Sequence, residues 1–497
     1  MENKFDFSDF SKQSTRGILV YYFKILYKII RVTWILVVIM LSKKSIGSLQ
    51  TYFFIVLVAV LIYVLIRAIL TFLNFKFKVS EHDFVLHKGI INKSRIAIPF
   101  EKIQNINFKQ NLVQQLINVV EVEIETAGDK KVEIAITALS REKATALKNL
   151  LLSKTNQAME SMDDEQDGVI QQISVLELFK VSISENHFKS LLILLGLGFS
   201  LYVQVKDFFE SLDLGDQLDV FISDNTDAVQ MTVMLTILVV TLSFFIAILS
   251  SFFRVFVRHF NLTIAIRNGV LEIKQGLFTK RNNIIRKQKV QQLIVATNPL
   301  KKMLGISNVA FKQAISGKQK KGTVLHIVGT KSQQIKDLKK LIFSDSDFTN
   351  YQTYTPHFYY KRKMLVRSFI ALLIINIIYS LPHLNAGWEW YLCNGILIPG
   401  ILWMVRLKFE KCFFRLNKEM LWLGKGQVGS EYQYLECFKI QYVTLNQTIF
   451  QKRYQVYDMK IQTASGAMDI PCIPEEEAFK LYDYLIYKSQ TATQPWM

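Results

Sequence analysis

Cysteine is scarce in this chain and forms no pattern. Cys393, Cys412, Cys437 and Cys472 make no CxxC pair and no metal-ligand spacing, so small buried residues are expected rather than a disulfide or zinc framework. The seven histidines (His82, His87, His187, His259, His326, His357 and His383) pair neither with each other nor with cysteine at ligand spacing. Surface or interfacial roles are expected of them, and no metal site. There is no GxGxxG, no P-loop and no GxSxG, and Gly424-Lys425-Gly426 is a turn between strand-like runs. Without a nucleophile and a positioned base, no catalytic residue, no cofactor and no enzyme activity are expected. No cleavable leader is expected either. The start, MENKFDFSDFSKQSTRG, is polar and acid-containing, so the first apolar run is expected to stay in the mature protein.

What the chain has is a repeat. The stretch Gly89 to Gly128 returns 187 residues on, beginning at Gly276, and again 337 residues on, beginning at Gly426. Four positions are identical in all three copies: Gly89, Gly276 and Gly426; Lys102, Lys289 and Lys439; Gln104, Gln291 and Gln441; Ala127, Ala314 and Ala464. Internal repetition has to be settled before anything else about the fold. Within a unit, Arg95 to Pro99 and Val120 to Glu125 alternate apolar and polar, as in a half-buried sheet. Between them Leu112, Val113, Leu116 and Ile117 recur at spacings of three and four, which reads as a short turn or helix. Each unit closes on an amphipathic helix. Ser140 caps the first, with Ala144, Leu147, Leu150 and Leu151 as its stripe; Pro474 opens the third, with Phe479, Tyr482, Leu485 and Ile486.

Around Ile98-Pro99, Ile103-Gln104 and Val122 to Gly128, repeated after pairs of hydrophobic segments, the sequence resembles the bacterial pleckstrin-homology-like domain, type 2, of YdbS/YdbT-type membrane proteins. Arg286 and Glu436 stand where the first copy has Pro99. The resemblance implies a PH-like barrel with a C-terminal helix, a bacterial origin, and no catalytic residues.

Half of the residues are apolar and the mean hydropathy is +0.21, high for a soluble protein. The surplus is concentrated in six segments: Ile18–Leu41, Thr51–Leu73, Phe188–Val205, Met231–Phe253, Met364–Leu381 and Trp390–Leu407. The fold class expected is an α+β membrane protein with six transmembrane helices in three hairpins, each followed by a PH-like β-barrel or sheet domain with a C-terminal helix. An N-terminal tail (1–17) leads into hairpin 1 (18–73) and PH-like domain 1 (74–154). A linker (155–187) precedes hairpin 2 (188–253) and domain 2 (254–343). A second linker (344–363) precedes hairpin 3 (364–407), domain 3 (408–489) and a C-terminal tail (490–497).

Basic residues flank the segment ends that meet these domains, among them Lys76, Lys78, Arg254, Arg258, Lys361, Arg362, Arg406 and Lys408. They place the domains and both termini of a multi-pass protein on the cytoplasmic side of the bacterial cell (inner) membrane. Lys43 and Lys44 in the first hairpin loop run against this. The net charge of +19 follows partly from that topology and partly suits anionic headgroups, through Lys280-Arg281, Arg286 to Lys289 and Lys318 to Lys321. No nucleic-acid motif accompanies it, so no nucleic acid is expected.

Lys102, Gln104, Lys289, Gln291, Lys439 and Gln441 are the candidate contacts for lipid or partner, although repetition of a fold alone would preserve them. The function expected is a non-enzymatic integral membrane scaffold that presents three cytoplasmic PH-like domains to lipid headgroups, a protein partner or a second copy. The alternative is a transporter or an export or envelope-stress accessory subunit whose six-helix bundle is the working part. Acids and histidines are absent from mid-segment, which counts against the alternative.

Overall fold

Runs of alternating apolar and polar residues make much of this chain strand. The computed structural model describes residues 5–42, 47–126, 134–157, 168–185, 196, 200, 226–267, 270–314, 324–343, 350–380 and 389–492. The first unit comprises β1 (Ser11–Lys12), α1 (Gly17–Ser42), α2 (Gly47–Leu73), β2 (Lys76–Val79), β3 (Asp83–Lys88), β4 (Ser94–Pro99), a 3-10 turn (Phe100–Lys102), β5 (Ile103–Gln110), α3 (Leu112–Leu116), β6 (Val119–Thr126), β7 (Ile134–Ser140) and α4 (Arg141–Gln157). The second follows the same order with β8 (Gly168–Gln172), α5 (Val175–Ser184), α6 (Thr226–His259), β9 (Thr263–Arg267), β10 (Val270–Gln275), β11 (Lys280–Arg286), a 3-10 turn (Lys287–Lys289), β12 (Val290–Thr297), α7 (Pro299–Met303), β13 (Ile306–Gln313), β14 (Val324–Lys331) and α8 (Ser332–Ile342). The third has β15 (Gln352–Tyr354), α9 (Tyr359–Ser380), α10 (Glu389–Glu410), β16 (Phe413–Leu416), β17 (Met420–Lys425), β18 (Ser430–Glu436), a 3-10 turn (Cys437–Lys439), β19 (Ile440–Asn446), α11 (Ile449–Lys452), β20 (Val456–Thr463), β21 (Gly466–Pro474) and α12 (Glu475–Thr491).

Three of the four repeated residues stand where the backbone needs them. Gly89, Gly276 and Gly426 have φ of 112°, 107° and 150° in the turns before β4, β11 and β18. A Cβ there would lie 2.0, 2.1 and 2.2 Å from the carbonyl oxygens of Asn92, Thr279 and Gly429, so only glycine fits. Each repeated lysine ends a 3-10 turn. Each repeated glutamine is the extra residue of a β-bulge: the ladder steps from Ile103 to Asn105, from Val290 to Gln292 and from Ile440 to Tyr442. A bulge bends its strand, and here it does so where the chain leaves one sheet of a unit for the next. Ala127 lies outside the described residues.

The sheets do not follow the repeat. Their strand orders are β1-β2-β3-β4, β7-β6-β5-β11-β10-β9-β8, β14-β13-β12-β18-β17-β16-β15 and β19-β20-β21. Instead of three separate barrels, the last three strands of one unit share a seven-stranded sheet with the first four of the next. Each unit still has its own apolar core, built for example on Phe77, Phe84 and Ile136, on Ile264, Leu293 and Phe311, and on Leu421, Ile461 and Leu485. A fully buried side chain of this size contributes about 1.5–3 kcal/mol. In α4, Ser140 Oγ accepts from Lys143 N (3.3 Å), while Ala144, Leu147 and Leu151 face inward. In α12 the inward stripe is Ala478, Leu481 and Leu485, and Phe479 turns outward.

The membrane part corrects the sequence expectation. Among the described residues two helices are long and apolar enough to cross a membrane, Phe54–Leu73 in α2 and Thr241–His259 in α6. Six membrane helices in three hairpins are not supported. Polar side chains interrupt the other described runs. α1 carries Lys24, Lys28 and Arg31; α9 carries Lys361, Arg362, Lys363, Arg367 and Asn376; α10 carries Asn394, Pro399, Arg406 and Lys408. Asn376 and Asn394 join α9 to α10 by reciprocal amide hydrogen bonds of 3.2 and 3.0 Å. The segment at 188–205 lies outside the described residues apart from Gly196 and Ser200, and so do the basic run at 318–321 and most of the polar stretch at 155–168.

Gly276→Ala is expected to destabilise the full chain by about 1–3 kcal/mol, since it forces a side chain into a left-handed conformation against backbone. Gly305→Asn should cost less than about 1 kcal/mol, because φ is 67° with open space around it and Asn tolerates that conformation. Thermal unfolding in detergent, followed by tryptophan fluorescence, separates the two.

Candidate functional site

The repeated Lys and Gln are spread one set per unit, and none lines the clefts described below. Lys102 is exposed. Lys289 and Lys439 are buried, at 8% and 3% exposure. Burial, and then the neighbouring Arg286, push the Lys289 ammonium below its ordinary pKa. Lys439 Nζ donates to the carbonyl of Val290 at 2.7 Å and pairs with Glu436 at 2.7 Å, so it ties unit 3 to unit 2. Gln291 is buried and Gln441 exposed; the side chain of Gln104 lies outside the described residues.

A different group gathers where units 1 and 2 meet. β5 pairs antiparallel with β11, with Gln110 opposite Lys280, Lys109 opposite Arg281 and Phe108 opposite Asn282. Helix α4 of unit 1 and strand β10 of unit 2 close over this joint. The result is a cleft of about 510 Å³ whose lining includes Lys109, Arg141, Lys148, Lys274, Lys280 and Arg281.

Its one lining carboxylate, Glu272, is 2% exposed and is held by Lys148 and by Lys274, the latter at 3.3 Å. Burial alone would raise the Glu272 pKa, but the hydrogen bond and charge of Lys148, with Lys274, outweigh it and hold it below the usual value. Lys109 pairs with Glu123 at 3.2 Å. Arg141, Lys280 and Arg281 have no acidic partner among the described residues. Like charges directly opposite each other destabilise a sheet, so Lys109 facing Arg281 suits a ligand that brings negative charge. Asn282 Oδ1 is buried with no hydrogen-bond partner.

The charge is not part of the repeated fold. At the joint of units 2 and 3, Lys109, Glu272, Lys274, Lys280 and Arg281 are replaced by Ala296, Trp422, Gly424, Ser430 and Glu431. There Lys339 lies 3.7 Å from the ring centre of Tyr434, with burial pushing its pKa down to about 8. Grooves of about 730 and 680 Å³ in units 1 and 3 mix both signs, Lys78 and Lys154 with Asp6 and Glu81, and Lys418 and Lys480 with Glu477.

The cleft opens beside the end of α6. Phe260 and Asn261, which follow the apolar span, line it. The turn carrying Gly276 satisfies a carbonyl in the last turn of that helix and one just beyond it, through Leu277 N to Val257 O (3.0 Å) and Gly276 N to Phe260 O (2.8 Å). Gln115, at the end of α3, donates to Phe278 O in the same turn at 2.9 Å.

The short helices α3, α7 and α11 carry exposed apolar tips: Leu112 and Leu116, Leu300 and Met303, Ile449 and Phe450. In each unit this end lies against helices that precede or belong to the apolar segments. Arg16, just before α1, donates to Ile117 O at 3.1 Å; Lys301 pairs with Glu185 beyond α5 at 2.7 Å; Tyr454 stacks on Tyr359 of α9 at 4.7 Å. The spacing of three and four among Leu112, Val113, Leu116 and Ile117 was legible in sequence, but the outward direction of Leu112 and Leu116 was not. The cleft itself was missed, because its cations come from β5, α4, β10 and β11, far apart in the chain. The two lysines Lys109 and Lys274, absent from the third copy's aligned positions, were the available signal. Among the described residues no group of three His, Cys, Asp or Glu could hold a metal ion.

Comparison with known proteins finds one family three times along the chain. Residues 29–155, 209–343 and 368–489 each match the family model described as Bacterial PH domain. The chain is similar to the UPF0699 transmembrane protein YdbT of Bacillus subtilis (strain 168), with 21% identity over 460 residues that cover 88% of this chain and 90% of that protein.

Glu272→Gln is expected to destabilise the chain by about 2–3 kcal/mol by leaving Lys148 unpaired. Because the folded Glu272 pKa is depressed, its contribution is full above the unfolded carboxyl value and is lost as pH falls through the folded one. Unfolding midpoints measured from pH 7 downward should therefore converge for wild type and variant at acid pH.

Proposed function

We propose, from the premise that this chain belongs to the bacterial PH domain family, that it is a non-enzymatic membrane scaffold whose first unit joint binds the headgroup of an anionic lipid. The observation that carries this reading is the position of the basic cleft at the end of the apolar span of α6. A phosphate at the membrane surface meets Arg141, Lys280 and Arg281 there. The exposed tips of α3, α7 and α11 dip into the same interface, as apolar side chains on short amphipathic segments do. Lys76 and Lys78 follow α2, while Arg254 and Arg258 end α6, which supports a cytoplasmic position for the units.

The full chain in detergent, titrated with short-chain phosphatidylglycerol and phosphatidylcholine, tests this reading. Binding of the glycerol lipid alone, weakened by salt, is expected. At about 1 kcal/mol per cation, Arg141→Ala with Lys280→Ala should weaken it on the order of 30-fold. Equal binding of both lipids, or unchanged affinity in a folded double variant, would remove the cleft from the account.

A further inference from the structure

Inside this chain one kind of joint is made twice, in one register. Phe108↔Asn282, Lys109↔Arg281 and Gln110↔Lys280 pair at the first joint, and their counterparts Val295↔Tyr432, Ala296↔Glu431 and Thr297↔Ser430 pair at the second. A side-chain bond across the joint also repeats at equivalent positions. Asn105 Nδ2 donates to Gln313 Oε1 at 2.7 Å, and Gln292 Nε2 donates to Thr463 Oγ1 at 3.0 Å. Each joint therefore has a giving strand (β5 or β12) and a receiving strand (β11 or β18).

The two ends of the molecule hold one of each, left over. β4, the counterpart of β11 and β18, is the last strand of the first sheet; β19, the counterpart of β5 and β12, is the first strand of the last sheet. Among the described residues neither outer edge is paired. Exposure follows. Asn105 and Gln292 are 5% and 0% exposed at the joints, while their counterpart Tyr442 on β19 is 56% exposed. Lys439 reaches across the second joint and is buried, while its counterpart Lys102 is exposed.

We propose that a second copy of this chain fills both edges, β19 of one copy pairing antiparallel with β4 of the next. The occupant is a copy because the receiving edge repeats the shape and register that this chain's own strands already meet twice. The internal register sets the pairs: Val443↔Ala97, Thr444↔Ile96, Leu445↔Arg95 and Asn446↔Ser94. Pro99, which has no N–H to give, lies beyond this run. Lys102 of one copy then reaches the Ile440 carbonyl of the other, as Lys439 reaches Val290. Tyr442 comes beside Thr126, the counterpart of Thr463. Giving and receiving strands differ, so copies add head to tail into a ring or a row by strand addition at a sheet edge. This inference stands apart from the lipid reading and uses none of the cleft residues.

Cysteine pairing in native membranes tests it. Two differently tagged full-length chains, both carrying Cys393→Ser, are co-expressed, one with Ser94→Cys and the other with Asn446→Cys, and oxidised. A disulfide-linked dimer is expected for this pair, and a ladder of higher species for the chain carrying both changes. Asn446→Cys with Arg95→Cys should give little, because a shift of one residue turns the side chain to the other face. Failure of the first pair to cross-link, together with a single 57.6 kDa species by native mass spectrometry of the unmodified chain, would overturn the proposal. So would self-linking of the Ser94→Cys chain alone, or its linking to a different polypeptide instead of a copy.

Discussion

A β-strand at the edge of a sheet presents a row of unpaired backbone donors and acceptors, and the rest of this structure depends on how those rows are filled. The strand that leaves each bulge, β5 or β12, has a free side, and so does the strand before the next unit's bulge, β11 or β18. Pairing them satisfies both edges at once and makes neighbouring units continuous. The three units are therefore held by main-chain hydrogen bonds as well as by the connecting chain. The change of sheet inside each unit uses the same three residues in every copy: a glycine that makes the turn, a lysine that ends the 3-10 turn and a glutamine that makes the bulge.

The shared sheet also creates the strongly basic cleft. It exists because α4 belongs to unit 1 and β10 to unit 2, so its floor forms only when the two units join. The fold tolerates either chemistry at such a joint, since the second one carries Trp422 and Glu431 in place of Glu272 and Arg281. Charge at the first joint is thus an addition to the scaffold. Its place at the end of α6 follows from the Gly276 turn, which caps that helix and begins the receiving strand.

Much of the fold was legible in the sequence because repetition exposes what a backbone demands. The unit length, the invariant glycine and the closing helix with Ala144, Leu147 and Leu151 could all be read from the residues. The pairing between units could not, because β5 and β11 meet across more than 160 residues and no local pattern encodes a strand's partner. The short strands β1, β8 and β15 sit in polar stretches whose composition resembles linkers, and they are strands only because a neighbouring edge recruits them. Counting apolar segments gave six membrane helices where two are long and apolar enough among the described residues, and Lys24, Lys28 and Arg31 in α1 and Asn394 and Pro399 in α10 interrupt runs that hydropathy averages smooth over. The outward aim of Leu116 and Phe450 was hidden as well, because amphipathic spacing gives a face and no direction.

Hydrogen–deuterium exchange on the full chain in detergent would test the continuous sheet most directly. The amides of Lys280 to Asn282 and of Ser430 to Tyr434 should exchange as slowly as those of the interior strand β6, because they lie inside seven-stranded sheets. Exchange there at the rate of the turn around Asn92 would mean that the units are separate domains on a string, and would contradict the account.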